Sequence, residues 1–360
     1  MIANILKIGF VSVLIIILIV ISIIPVTNGV MNSEINTNEP KGGNNVFIDW
    51  DNLTNPILFF QNRSLKDMTV LYFHDYFYIF TSVRVQAGEP SYNGTIFRTK
   101  DFQSYEEFHS ENTGGSSTII SIQDKFYIVF QKSVPSWYEK MRRLYYSTSV
   151  DLLNWTKPQE LMQEIQPYMR HIDGSFAAED GYIYVGYKGW QTFYVTRSKT
   201  KELDGEWVQP VRAWPGGLFQ WAENFQFIKI DGTWHMIATA RPLYDTVFEY
   251  LTGFLRRILH PYVGSHAPFL YSMDGSGACF TDWTRWVNKT YLDVPMEAWN
   301  QMMIANSAYL CDWRDYDGFF YLFYSGTNDW WSFEERGHGK IGVVRSKDLV
   351  NWDLPGQVKC

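Results

Sequence analysis

The chain has 360 residues, 46% of them hydrophobic and 18% aromatic, enough for one large core or two ordinary ones, which excludes disorder over most of its length. A formal net charge of −7 with no long Lys/Arg block argues against a nucleic-acid binder, which needs a basic stripe to neutralise phosphates. The 15 Trp and 23 Tyr suit a sugar-binding surface or a β-rich core.

Residues 1–27 contain an uncharged, almost wholly aliphatic run from Ile8 to Val26, preceded by Lys7. It exceeds the roughly 7–15 residues of a signal-peptide apolar region and approaches the roughly 20 that span a bilayer. The expectation is a signal peptide, with Thr27 and Gly29 near a passable cleavage site, or a transmembrane helix kept as an N-terminal anchor. Either places the protein outside the cell, secreted or attached to the outer face of the membrane. Residues 28–45 are Asn-, Gly- and Glu-rich and read as a flexible linker. Asn-x-Ser/Thr triplets at Asn52, Asn62, Asn93, Asn154 and Asn288 agree with export. The three cysteines, Cys279, Cys311 and Cys360, have no zinc-type spacing, and in an oxidising compartment Cys279 and Cys311 could pair.

From residue 46 onward one hairpin recurs. Its turn and aromatic strand are HDYFYIFTS from His74, QDKFYIVFQ from Gln123, EDGYIYVGYKG from Glu179, IDGTWHMIATA from Ile230 and YDGFFYLFYSG from Tyr316. Alternating strands around Asp-Gly-like turns are hairpin signals. After each hairpin comes another strand, then Ser/Thr-Lys-Asp-like residues and an aromatic, as in Ser346 to Trp352. Each unit therefore carries about four short strands in roughly 50 residues, the period of a propeller blade. The expected fold is all-β: a single five-bladed β-propeller with four-stranded blades over 46–360, behind the N-terminal hydrophobic segment. The blades fall near 65–110, 115–160, 171–212, 222–290 and 304–360, and an all-β sandwich is the alternative arrangement. Two insertions break the period. Arg241 to Pro268 carries Val247, Leu251, Phe254, Leu255 and Ile258 near helical spacing, and Thr327 to Gly339 carries Trp330 and Trp331. In an up-and-down blade both would overhang the face where the first strand begins.

The repeat supplies its own control for the carboxylates. Asp75, Asp124, Asp180, Asp231 and Asp317 recur at the turns, and turn geometry accounts for them. Counting back to the strand entrance gives Asp67, Ser116, Asp173 and Glu223, with the fifth blade blurred around Asn306 and Ser307. Equivalent positions in a propeller converge on the axis, so Asp67, Asp173 and Glu223 should meet at one end of it. Crowded carboxylates spread their pKa values, which lets one stay protonated while another stays ionised; the structural alternative is strand capping or cation binding.

These residues, in this register and over all five blades, resemble the five-bladed glycoside hydrolases related to family 43, the arabinanase and xylosidase group. The Ser-Lys-Asp-Leu-Val-Asn-Trp stretch also resembles that family's outer strands. The resemblance implies Asp67 as general base, Asp173 as the residue that orients and tunes the acid, and Glu223 as general acid, acting on a carbohydrate with inversion. The family's usual Asp-Pro and Glu-Gly-Pro are here Asp67-Met68, Asp173-Gly174 and Glu223-Asn224-Phe225. The family's fifth-blade His has no match near Asn306, although His266 and His338 stand in the insertions. The Asn-Asp-Pro-Asn and Arg-Asp-Pro signatures of the related fructan-cleaving propellers are missing. Trp190, Trp221, Trp330 and Trp331 are candidates for stacking on sugar rings, and Arg170, His171 and Arg241 for bonding hydroxyls or a sugar carboxylate. No cofactor is required by this chemistry; a central structural cation such as calcium is open. A non-catalytic carbohydrate-binding propeller and a phosphorylase or transferase on the same scaffold are the other readings.

Overall fold

A computed structural model describes residues 47–85, 94–115, 117–133, 142–165, 171–189, 192–200, 203–213, 222–240, 267–301, 303–328 and 339–357. All lie in the compact unit Gly42–Cys360. The apolar run at 8–26, the linker and most of both insertions fall outside the described residues. Among the described residues no helix is long and apolar enough to cross a membrane.

The expected propeller is present. Blade one is β1 (Arg63–Phe73), β2 (Tyr76–Val85), β3 (Thr95–Thr99) and β4 (Glu106–His109). Blade two is β5 (Thr118–Ile122), β6 (Lys125–Ser133), β7 (Arg142–Ser149) and β8 (Gln159–Glu160). Blade three is β9 (Ile172–Glu179), β10 (Tyr182–Lys188), β11 (Phe193–Arg197) and β12 (Val211–Arg212). Blade four is β13 (Glu223–Ile230), β14 (Thr233–Ala240), β15 (Ala267–Met273) and β16 (Trp286–Tyr291). Blade five has three ladder strands among the described residues, β17 (Met303–Asp312), β18 (Phe320–Thr327) and β19 (Lys340–Ser346). Its outer edge is finished by single bridges, Leu58 to Ile341 and Asp353 to Arg345. Asn55 imitates a strand there, its amide donating to the Val343 carbonyl at 2.9 Å and accepting from the Val343 N–H at 2.9 Å. Segments from both ends of the propeller thus complete the last blade.

Alternation along the strands gives each blade two apolar faces, and these make five cores, one between each pair of neighbours. Phe80 and Ile96 meet Ile119 and Ile128 between blades one and two. Val129 and Leu144 meet Phe176 and Val185 between two and three. Tyr184 and Phe193 meet Phe227 and Trp283 between three and four. Ile237 and Leu270 meet Leu310 and Leu322 between four and five. Tyr321 and Phe323 meet Val70 and Phe97 between five and one, closing the circle. Each buried side chain of this size contributes about 1.5–3 kcal/mol by leaving water.

Near the axis the innermost strands are not laddered to one another, and buried polar side chains bridge them instead. Thr69 donates to the Ser117 carbonyl. The Thr118 hydroxyl donates to the Gly174 carbonyl at 3.1 Å and accepts from the Phe176 N–H at 3.0 Å. Ser175 accepts from the Phe227 N–H at 3.0 Å. The Gln226 amide donates to the Leu310 carbonyl at 2.7 Å and accepts from the Leu310 N–H at 2.8 Å. Ser307 accepts from the Asp67 N–H at 2.8 Å. A full circuit of blades is joined this way.

The hairpin turns are left-handed at both central residues, with φ of 48° and 62° at His74 and Asp75, 50° and 60° at Gln123 and Asp124, 50° and 77° at Asp180 and Gly181, and 49° and 79° at Asp231 and Gly232. These are the angles of type I′ turns, which match strand twist. They correct the register taken from the turn aspartates: Asp75 and Asp124 hold the second turn position, Asp180 and Asp231 the first. In blade five Asp317 closes the short helix Arg314–Asp317 instead. The Ser-Lys-Asp-type motif is structural. Asp151 and Asp348 each accept two backbone N–H bonds from their own turns, which outweigh burial and lower both carboxyls to about 2. The possible Cys279–Cys311 pair is not formed: both thiols are free, Cys279 exposed and Cys311 buried near the axis, while Cys360 lies outside the described residues.

Candidate active site

Bulges at the start of the inner strands bring the acids to the axis. Register slips between Lys66 and Thr69 in β1 and between Glu223 and Gln226 in β13. At this level Asp67, Asp173 and Asn224 are left-handed, with φ of 55°, 53° and 54°. Asp and Asn tolerate this region better than other side chains, and a bulge re-aims a side chain. Asn224, not Glu223, is therefore the fourth-blade equivalent of Asp67 and Asp173. Glu223 stands one residue nearer the mouth.

Each acid is held differently. The Asp67 N–H is fixed by Ser307, and Lys66 Nζ lies 3.9 Å from Asp67 Oδ2. Asp173 is buried; its N–H donates to Gln131 Oε1 at 2.9 Å and its Oδ2 accepts from the Asn224 N–H at 3.3 Å. Gly174 beside it sits in a tight place, since a Cβ would come 3.0 Å from Val129 and 3.1 Å from Leu144 and both side chains would have to give way by a few tenths of an ångström. The Glu223 side chain is 35% exposed, and its Oε1 accepts from the ammonium of Lys188, whose side chain is 7% exposed.

Burial pushes the Asp173 carboxyl up, and the negative charges of Glu223 and then Asp67 push it further; Lys188 and the Asn224 N–H oppose them, and the net is a rise to about 7. Asp173 thus feels both other acids. His171 is buried, with its ring edge-on to Tyr187 at 4.7 Å, and burial and then the charge of Arg143 lower it to about 4, so it is a neutral packed residue at neutral pH.

Asp67, Asp173, Asn224, Gln226, Ser307 and Tyr309 help line a void of about 20 Å³ on the axis. That is room for about one water. Anything larger than a water would have to lie above it, on the side of the half-buried Glu223. Gln226 and Tyr309 also line a cavity of about 470 Å³ on the opposite side, so they separate the two ends of the axis. Ala240, Ala267, Thr327 and Gly339, which flank the two insertions, stand at the acid end. Trp190, Trp221, Trp330, Trp331, Arg170, Arg241, His266 and His338 lie outside the described residues. For a central cation, no set of three His, Cys, Asp or Glu side chains among the described residues is arranged to hold a metal ion.

Lys188 is the candidate site residue that motif reading passed over. Six residues after the start of the second strand stand Ser82, Gln131, Lys188 and Thr239 in blades one to four, and the lysine alone is charged. Gln131 reaches forward to Asp173 as Lys188 reaches forward to Glu223.

No protein-family model and no curated relative matches the chain. Solved structures do. A family-43 glycoside hydrolase from Bacillus licheniformis is 16% identical with a TM-score of 0.55, over 84% of this chain and 56% of that one. An α-L-arabinofuranosidase from Podospora anserina is 13% identical with a TM-score of 0.56, over 84% of this chain and 96% of the other. One from Lactobacillus brevis is 14% identical with a TM-score of 0.55, over 86% and 99%. This chain thus spans little more than half of the first and nearly all of the others. At such identity the likeness establishes the fold, a propeller like those of family-43 enzymes.

Proposed function

We propose that the protein is a glycoside hydrolase that cleaves O-glycosidic bonds of an extracellular oligo- or polysaccharide with inversion. The observation that carries this reading is the convergence of acids from three blades at one end of the axis, where Glu223 and Asp67 act on the carboxyl of buried Asp173. Glu223, half-buried at the mouth, would protonate the departing glycosidic oxygen. Asp67 would remove a proton from a water on the opposite face of the sugar, and the C–O bond would break as the water oxygen bonds the anomeric carbon. Asp173 touches neither reacting atom and serves to position and tune Glu223. The fold likeness to a family-43 glycoside hydrolase and to arabinofuranosidases supports a carbohydrate substrate.

Arabinoside, xyloside, galactoside and fructoside substrates, screened with and without phosphate, test the reading. Hydrolysis that is independent of phosphate and lost in D67N and E223Q is expected. Phosphorolysis would assign the chain to the phosphorylases, and sugar binding without turnover would make it a recognition module. Extracellular placement belongs to the same proposal. It is supported by the Ile8–Val26 run and by the exposure of Asn52, Asn62, Asn154 and Asn288, and is tested by cell fractionation and N-terminal sequencing, which separates a cleaved signal from a retained anchor.

A further inference from the structure

We propose that Lys188 is a positioning residue that controls the loading of the acid: docked on Glu223 it holds that carboxylate ionised, and Glu223 takes up its proton only when the ammonium turns to an oxygen of the bound sugar. This inference rests on the hydrolase reading.

The fold does not require a lysine at this place. Ser82, Gln131 and Thr239 fill the same register in other blades without charge. Burying an ammonium is costly unless a carboxylate and hydrogen bonds meet it. Here a bulge between Gly186 and Lys188 marks the end of β10, and the side chain, 7% exposed, meets Glu223 from the next blade. An ammonium has three N–H donors, and among the described residues Glu223 is the one hydrogen-bond acceptor of the Lys188 ammonium, so it has donors to offer a ligand. Among the described residues, the charges that act with the pair on Asp173 of β9 include Asp67 on β1, which has Lys66 beside it, while neutral His171 is next to Asp173 in the chain and feels the charge of Arg143. An ammonium in contact favours the ionised form of a carboxylate, so the resting pair opposes the protonated Glu223 that leaving-group protonation requires. Asp173, buried and facing two carboxylates, is the better place for a proton while the site is empty. When a sugar oxygen takes the Lys188 donors, Glu223 gains a proton from solvent. It then passes that proton to the leaving oxygen, Lys188 returns, and the proton collected by Asp67 goes back to water.

The test is a carboxyl ¹³C NMR titration of the full, ligand-free protein labelled at Asp and Glu, with E223Q assigning the Glu223 signal. In K188M the Glu223 midpoint should move to higher pH, and in K188R it should stay near wild type. K188Q, which copies the residue of blade two, provides a second neutral variant if K188M does not fold. A Glu223 midpoint unchanged in both neutral variants overturns the proposal. This readout needs no turnover, so it stands apart from the hydrolase reading, which fails instead if no glycoside is cleaved. Where a substrate is found, the alkaline limb of kcat/KM should move up in K188Q for glycosides with poor leaving groups. It should not move for activated aryl glycosides, which need no acid; a general packing defect would affect both alike.

Discussion

D173N probes a strongly shifted acid without any knowledge of the substrate. Asparagine keeps an oxygen to accept the Asn224 N–H, and the backbone bond to Gln131 is untouched, so the change removes a titration more than a contact. A carboxyl raised from 3.8 to about 7 favours the folded protein fully below pH 3.8, and that contribution is lost as pH rises through about 7. At about 1.4 kcal/mol per pH unit the loss approaches roughly 4 kcal/mol, an upper bound because Glu223 and Asp67 share the charge that causes it. Paired denaturant unfolding of wild type and D173N from pH 3.5 to 8.5 should therefore show similar stabilities in acid, then a gap in favour of D173N that widens and levels off above neutrality. Activity should fall in the same variant, because groups held against their own stability are characteristic of functional sites. Parallel stability curves across that range would refute both the burial of charge at Asp173 and the tuning role built on it.

Three further outcomes follow from the same geometry. The first sugar released should be the inverted anomer by ¹H NMR, and retention of configuration would replace the water mechanism with a covalent one. Q226L leaves both the N–H and the carbonyl of Leu310 without the Gln226 bridge and should cost about 2–4 kcal/mol by unfolding; a neutral effect would show that the inter-blade bridge is dispensable. In a C360S background a thiol reagent should label Cys279 at once and Cys311 only on unfolding, and equal rates would contradict the burial of Cys311.

The propeller was legible in the sequence because each blade is a local hairpin with its own turn signal, and five similar copies leave few ways to bury their aromatic faces. Position within the turn was less legible. A type I′ turn accepts Asp at either central residue, so counting from Asp75, Asp124, Asp180 and Asp231 mixed two positions and put Glu223 in register with Asp67. Counting from the left-handed pair places Asn224 there. The bridges of Thr69, Ser175 and Gln226 could not be read locally, since their partners sit one blade away and polar residues in aromatic strands have no periodicity of their own. Lys188 left a visible trace once the hairpins are aligned from the turn, because its counterparts are Ser82, Gln131 and Thr239.

That alignment also separates structure from chemistry. Where the fold needs a polar group near the axis, the blades show what suffices: Thr69, Thr118, Ser175 and Gln226 bridge neighbours, and all are neutral. One step nearer the mouth, neutral Asn224 fills the left-handed bulge as well as Asp67 or Asp173 does. Charge is therefore an addition to what the fold demands, and where it is buried it is unfavourable unless compensated. The additions are Asp67, Asp173, Lys188 and Glu223, drawn from blades one, three and four, and all stand at the same end of the axis. Strand capping would have distributed neutral residues around the ring. A one-sided cluster of opposed charges, with the most buried carboxyl raised and half-buried Glu223 tethered to a lysine, is what the proposed transfer of a proton to a glycosidic oxygen would draw on.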